Sequence, residues 1–189
     1  IIQSSVNGFG AIIVAGNSAA ANIEGFVYVS MNAFYQASIS FTSQNVGAAK
    51  YERINRILYT AEACAVAVGL LLGNAAVLFG KELLLLYSTS EAVIAAGMRR
   101  LRIICSTYAL CGMMDTIVGS MRGLGHSVLP MIVSLIGACG LRLFWIFTFF
   151  RMERFHTPDS LYLTYPASWI LTFGAHVICF MIVRHGLKK

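Results

Sequence analysis

Charge is the scarcest commodity in this sequence of 189 residues. Asp, Glu, Lys and Arg together make up 12% of it, against about 25% in soluble globular proteins. So few charges cannot cover a surface that faces water. Five stretches carry none at all: Ile1–Ile23, Gly25–Ala49, Ala63–Gly80, Gly123–Leu141 and Ser160–Val183. Each approaches the ~20 residues that cross a bilayer as a helix. Soluble enzymes and secreted scaffolds are thereby excluded, and the fold class is all-α, a polytopic transmembrane helix bundle.

Other absences narrow the chemistry. The five cysteines, Cys64, Cys105, Cys111, Cys139 and Cys179, all lie in apolar segments and none forms a CxxC pair. They read as buried thiols, with neither a disulfide framework nor a zinc site. No HExxH, GxSxG, P-loop or GxGxxG stands in a fitting context, so no enzyme, metal or cofactor is expected. The start has no Met, no basic n-region and no small-residue cleavage site, so residue 1 is expected to be an interior point of a longer chain.

What is present is hydrophobic, 58% of the chain, and divides into spans. Ile1–Ala15 reads as the end of a spanning helix running into a loop, and Gly16–Asn22 as a small-residue connector. Five complete spans are expected: Ile23–Val46, about Ile57–Gly80, Arg102–Met121, Leu129–Phe150 and Ala167–Val183. Pro130 suits the first turn of the fourth, where its missing N–H is not needed. RMERFHTPDSLYLTYP is the longest polar loop, and Tyr162, Tyr165 and Trp169 are placed like an interfacial aromatic belt.

The net charge of +6 is dispersed between apolar runs, which suits lipid headgroups and not a nucleic-acid groove. If links alternate sides, one side holds Lys50, Arg53, Arg56, Arg122, Arg184, Lys188 and Lys189. The other holds Lys81, Arg99, Arg100, Arg102, Arg151 and Arg154. The excess of one on the first set favours it as the cytoplasmic side.

In hydrocarbon a polar side chain must face other helices or a wet cavity, so polar positions at helical spacing mark the inner face. Glu24, Tyr28, Asn32, Gln36, Ser40 and Gln44 recur every four residues, with Tyr35 beside Gln36. This stripe lines a cavity or hydrogen-bonds to neighbouring helices. Tyr108, Cys111, Asp115, Gly119 and Arg122 share one face of the third span. Asp115, read as the one acid deep in a span, is costly when ionised there, so it either exchanges a proton or sodium ion or pairs structurally. Glu62 reads as interfacial. Ser168, Thr172 and His176 repeat the four-residue step, and Arg142, in the middle of its span, needs a partner or a cavity. Gly69-x-x-x-Gly73, and Gly137 with Gly140, permit close helix approach.

Three segments carry a resemblance: VAGNSAAANIEGFVYVSMNAFYQASISFTSQNVGAAKYERI, MDTIVGSMRGLGHSVLPM and YPASWILTF. Together they closely resemble the C-terminal half of multidrug and toxic compound extrusion (MATE) transporters. The most specific elements are Gln44-Asn45-x-Gly47-Ala48 with Arg53, and Met121-Arg122-Gly123-x-Gly125, expected in loops after the first and third spans. The resemblance implies two six-helix bundles facing each other across a V-shaped cavity, of which this chain is the second, lacking most of its first helix. It implies export of cationic or amphipathic organic compounds against inward H⁺ or Na⁺ across the cytoplasmic membrane. The expected partners are membrane lipid, those small substrates and the N-terminal lobe, and not nucleic acid. Candidate substrate-cavity residues are Tyr28, Asn32, Tyr35, Gln36 and Tyr108, and the ion-coupling candidate is Asp115. In better-known members a carboxylate lies one turn earlier, near Cys111, and another precedes Ile1. A lipid-linked saccharide flippase of the same fold, or a non-transporting membrane fragment, are the alternative readings.

Overall fold

The structure is a computed structural model and describes residues 2–186. Lys188 and Lys189 of the charge count lie outside the described residues. Five helical stretches are long and apolar enough to cross a membrane: Ala11–Gly47, Tyr51–Leu78, Glu91–Gly123, Val128–Arg151 and Pro158–Gly186. A short helix, α1 (Ile2–Asn7), precedes them and turns at Gly10, whose φ of 90° is open to glycine. The five expected spans are therefore present, with altered ends.

The first span is a single helix, α2 (Ala11–Gly47), of 37 residues. At 1.5 Å per residue it is about 55 Å long, well beyond a hydrocarbon core of about 30 Å. The connector expected at Gly16–Asn22 is interior to it. Its small residues serve contact, not flexibility: Gly16, Ala19 and Ala20 are buried, and a Cβ on Gly16 would stand 2.7 Å from the Ala96 methyl and the Gly97 nitrogen. Close backbone approach replaces large side chains at this crossing, as is common between membrane helices.

After a 3-10 turn at Tyr51–Arg53, α3 (Ile54–Leu78) returns across the bundle, and α4 (Gly80–Leu85) caps it. The third span begins eleven residues before the expected Arg102. It consists of α5 (Glu91–Ile104), a 3-10 turn at Cys105–Thr107 and α6 (Tyr108–Gly123). Hydroxyls bend back at that break: Thr107 Oγ1 donates to the Ile103 carbonyl at 2.8 Å. Arg99, Arg100 and Arg102 are thus helical residues and not loop charges, and Arg100 is buried.

The fourth span is interrupted. α7 (Val128–Ser134) passes into a π-helical turn, Leu135–Gly140, before α8 (Leu141–Phe147). Gly137 lies against Thr172 there, with no room for a Cβ. The last span, α9 (Pro158–Gly186), starts nine residues before the expected Ala167 and contains Pro166. It takes Tyr162 and Tyr165 out of the supposed loop and into the bundle beside Trp169. Tyr162 and Trp169 are 2% and 4% exposed, so these rings form core and not an interfacial belt. Cys105 and Cys111 are buried as expected, whereas Cys64 and Cys139 are exposed.

Candidate functional site

α2 and α6 run parallel and almost in contact. Met31 fills the space left by Gly112, Tyr35 and Ser38 sit over Gly119, and Thr42 sits over Gly123. The Ser120 hydroxyl meets those of Ser38 and Thr42 at 3.4 and 3.3 Å. This seam of glycine and hydroxyl residues sets the rotation of both helices. It leaves Tyr28 and Gln36 exposed and Asn32 half-buried on one flank of α2, where Gln36 Nε2 donates to Asn32 Oδ1 at 3.4 Å.

Asp115 is half-buried on α6 beside that flank, with Tyr28 and Arg122 inside Coulombic reach. Its carboxylate makes no hydrogen bond or ion pair with the described residues. Tyr35, half-buried, receives a hydrogen bond on its hydroxyl from Arg122, whose guanidinium also stands 5.7 Å from the ring centroid. Tyr108 goes elsewhere: it is 8% exposed and packs in the core against Trp169, ring centroids 5.5 Å apart. The structure therefore gathers Tyr28, Asn32, Gln36 and Asp115, ties Tyr35 to Arg122, and sets Tyr108 behind them.

The motif residues are helix ends, a correction to their expected place in loops. Gln44, Asn45 and Gly47 form the last turn of α2, and Asn45 Nδ2 donates to the Phe41 carbonyl at 2.9 Å. Arg122 and Gly123 close α6, and Gly125 follows in the left-handed region at φ 89°. His126 N–H bonds the Met121 carbonyl and Gly125 N–H that of Arg122, which is the Schellman arrangement. The same bonds run from Lys50 to Asn45 and from Ala49 to Val46, so Ala49, at φ 55°, takes the strained position and Gly47 does not. Arg53 lies in the 3-10 turn and is exposed.

Sequence reasoning missed the strongest polar cluster. Arg100 donates through Nε to Glu24 Oε1 at 2.7 Å, through Nη2 to Glu24 Oε2 at 2.6 Å and through Nη1 to Asn17 Oδ1 at 2.7 Å. Tyr162 and Tyr165 each stand 5.5 Å from the guanidinium. Glu24 is therefore a second acid deep in a span. Its lodging in an apolar helix was the available signal, because a buried carboxylate requires a cation. Arg142 donates to Ser168 Oγ at 2.9 Å and lies 4.1 Å from the Tyr165 centroid. With Gln3, Asn17, Arg100 and Tyr165 it lines a cleft of about 500 Å³ between α1, α2, α5, α8 and α9. His176, fully buried, meets Ser134 Oγ through Nε2 at 3.0 Å.

Membrane-length helices joined by glycine seams, with polar groups on inner faces and no ladder of soluble-type surface charge, define a polytopic membrane protein. The MatE family model matches residues 1–148, and the chain belongs to this family of membrane transporters. The matched stretch includes the α2–α6 seam, Asp115 and both Schellman ends, and stops before α9. No curated protein matches the chain.

Proposed function

We propose that this chain is the C-terminal lobe of a cation-coupled antiporter that exports cationic or amphipathic organic compounds across the cytoplasmic membrane. Alternating access requires a second bundle to close the opposite gate, and the N-terminal lobe of the same protein is the natural partner. The carrying observation is Asp115: a half-buried carboxylate with no protein partner among the described residues, beside the Tyr28–Asn32–Gln36 stripe. An acid without a fixed counter-charge can take and release H⁺ or Na⁺, which a carboxylate locked in a salt bridge cannot do.

The saccharide-flippase reading asks for a strongly basic cavity. The cleft at α8 contains two guanidinium groups, but Arg100 is neutralised by Glu24, leaving Arg142. That single cation supports drug export over the flippase.

The test is Asp115→Asn in the full-length transporter, with efflux measured in everted vesicles and normalised to folded protein. Loss of coupled efflux at near-normal abundance is the expected result. Full normalised activity rejects a coupling role for Asp115.

A further inference from the structure

Arg53, Arg56, Ile57, Thr60, Ala61 and Cys64 follow one another at helical spacing along one face of the second span. Phe34, Ala37, Phe41 and Asn45 do the same on α2, and the two rows line a groove of about 690 Å³. Phe34 and Asn45 are eleven residues apart, about 16 Å along the axis, close to half of a hydrocarbon core of about 30 Å. The groove is therefore about one leaflet deep. Phe41 is nine residues from Asn32, which puts it half a turn round α2 from the flank beside Asp115. Phe41, Thr60 and Cys64 are exposed, so the groove opens on the outer surface of the bundle.

Its polarity is concentrated at one end. Arg53 and Arg56 stand where the turn joins α2 to α3; both are exposed, and neither side chain hydrogen-bonds or ion-pairs with the described residues. Lys50 adds a third cation to this turn, against one acid, Glu52. No acid lines the groove. Glu62, expected at the interface, has both oxygens shut off from the surface. Thr60 lies one turn deeper than Arg56, about 6 Å along the helix, and its hydroxyl bonds to nothing among the described residues. The same two helices, with α4, form a second groove of about 670 Å³ towards their other ends. Phe26, Val27, Leu72 and Phe79 line that one, and no charged residue among those described does. Two grooves of similar size on one helix pair thus differ in charge.

We propose that the groove beside Arg53 and Arg56 holds one anionic phospholipid. Its phosphate lies on the two guanidinium groups, whose forked donors match phosphate oxygens. A glycerol ester carbonyl accepts from Thr60, and an acyl chain runs along Ala37, Phe41 and Ala61. Charge complementarity selects the occupant: basic side chains at headgroup depth attract anionic lipid, and the apolar length below them excludes a free phosphate. The uncharged groove takes acyl chains without preference for a headgroup. Asn45 and Arg53, both motif residues, thereby acquire a place in lipid binding that does not depend on the antiport reading.

The experiment is native mass spectrometry of the full-length transporter, titrated with dioleoyl-phosphatidylglycerol or dioleoyl-phosphatidylcholine, which share their acyl chains. Wild-type protein is expected to bind the first phosphatidylglycerol about fivefold more tightly or better. Arg53→Gln with Arg56→Gln should bring that ratio below about twofold at an unchanged melting temperature, and lysine at both positions should restore most of it, because charge carries the preference. Ala61→Trp fills the groove with both arginines intact and should remove the preference as well, which a merely basic turn would not show. Lys81→Gln, on α4, should leave the ratio within about twofold of wild type. Millimolar glycerol 3-phosphate should not displace the lipid. Equal affinity of wild-type protein for the two lipids overturns the proposal, as does a preference that survives the double glutamine variant or Ala61→Trp. Displacement by glycerol 3-phosphate also overturns it, in favour of a soluble phosphate ester.

Discussion

Arg100 and Glu24 meet fork to fork across the α2–α5 crossing, at 2.7 and 2.6 Å, with the ion pair almost wholly buried. Asn17 takes the remaining guanidinium arm. Breaking a buried pair strands one charge, at a cost of about 3–5 kcal/mol, whereas replacing both partners with apolar residues of similar volume is often nearly neutral. Glu24→Met and Arg100→Met alone are therefore expected to reduce folded protein in detergent sharply. The double variant should recover most of it. Fluorescence size-exclusion profiles of the three variants measure this, and additive losses in the double variant contradict the pairing.

Four helix ends share one end of the bundle. Arg184 of α9 reaches Tyr51 and Asn55 at the start of α3, and Thr42 of α2 packs on Gly123 of α6. Cysteines introduced at Lys50 and Ser127, in a background with the five native cysteines replaced, should be labelled from the same membrane side. Opposite accessibility to an impermeant maleimide in intact cells sinks this topology.

Glycines divide by what surrounds them. A Cβ on Gly73 would overlap the Cys105 carbonyl, and Gly125 holds φ 89°. A Cβ on Gly47, helical and at the end of α2, meets nothing within 4 Å. Gly73→Ala should cost about 1–3 kcal/mol from forced helix separation, and Gly125→Ala about 1–2 kcal/mol from the left-handed backbone. Gly47→Ala should be neutral or gain up to about 1 kcal/mol. Thermal unfolding in detergent ranks the three, and a destabilised Gly47→Ala would falsify the assignment.

Asn32 and Gln36 hydrogen-bond to each other on the flank beside Asp115. Each removes no charge when truncated. Asn32→Ala and Gln36→Ala are expected to alter resistance to some compounds several-fold and leave others unchanged, with coupling intact. Minimum inhibitory concentrations across a panel of drugs read this out, and a uniform collapse across the panel argues for a structural role.

Asp115 and its neighbours on α6 were legible in the sequence because a helix repeats every 3.6 residues and a single acid in an apolar run stands out. The Glu24–Arg100 pair was not. Its partners are separated by 76 positions, and Arg100 sits among Arg99 and Arg102, which imitate a loop. Only the extension of the third span back to Glu91 turns Arg100 inward. The small residues of Gly16–Asn22 misled for a related reason, since glycine and alanine serve turns and tight helix crossings alike. The aromatic belt failed likewise: Tyr162 and Trp169 are placed by the start of α9 at Pro158, which Thr157 caps, a local start signal set in a stretch polar enough to resemble a loop.

The sequence by itself determined the class of the protein and its number of spans, because transfer into hydrocarbon depends on each segment's own composition and length. It also determined which helix faces are polar, because periodicity is local. The tertiary structure alone decided which polar groups are satisfied and which are left open. Glu24 found Arg100, Tyr35 found Arg122, and Asp115 and Glu62 found nothing among the described residues. Those outcomes depend on helix rotation and crossing, which the glycine contacts of α2, α3 and α6 set between segments far apart in the chain.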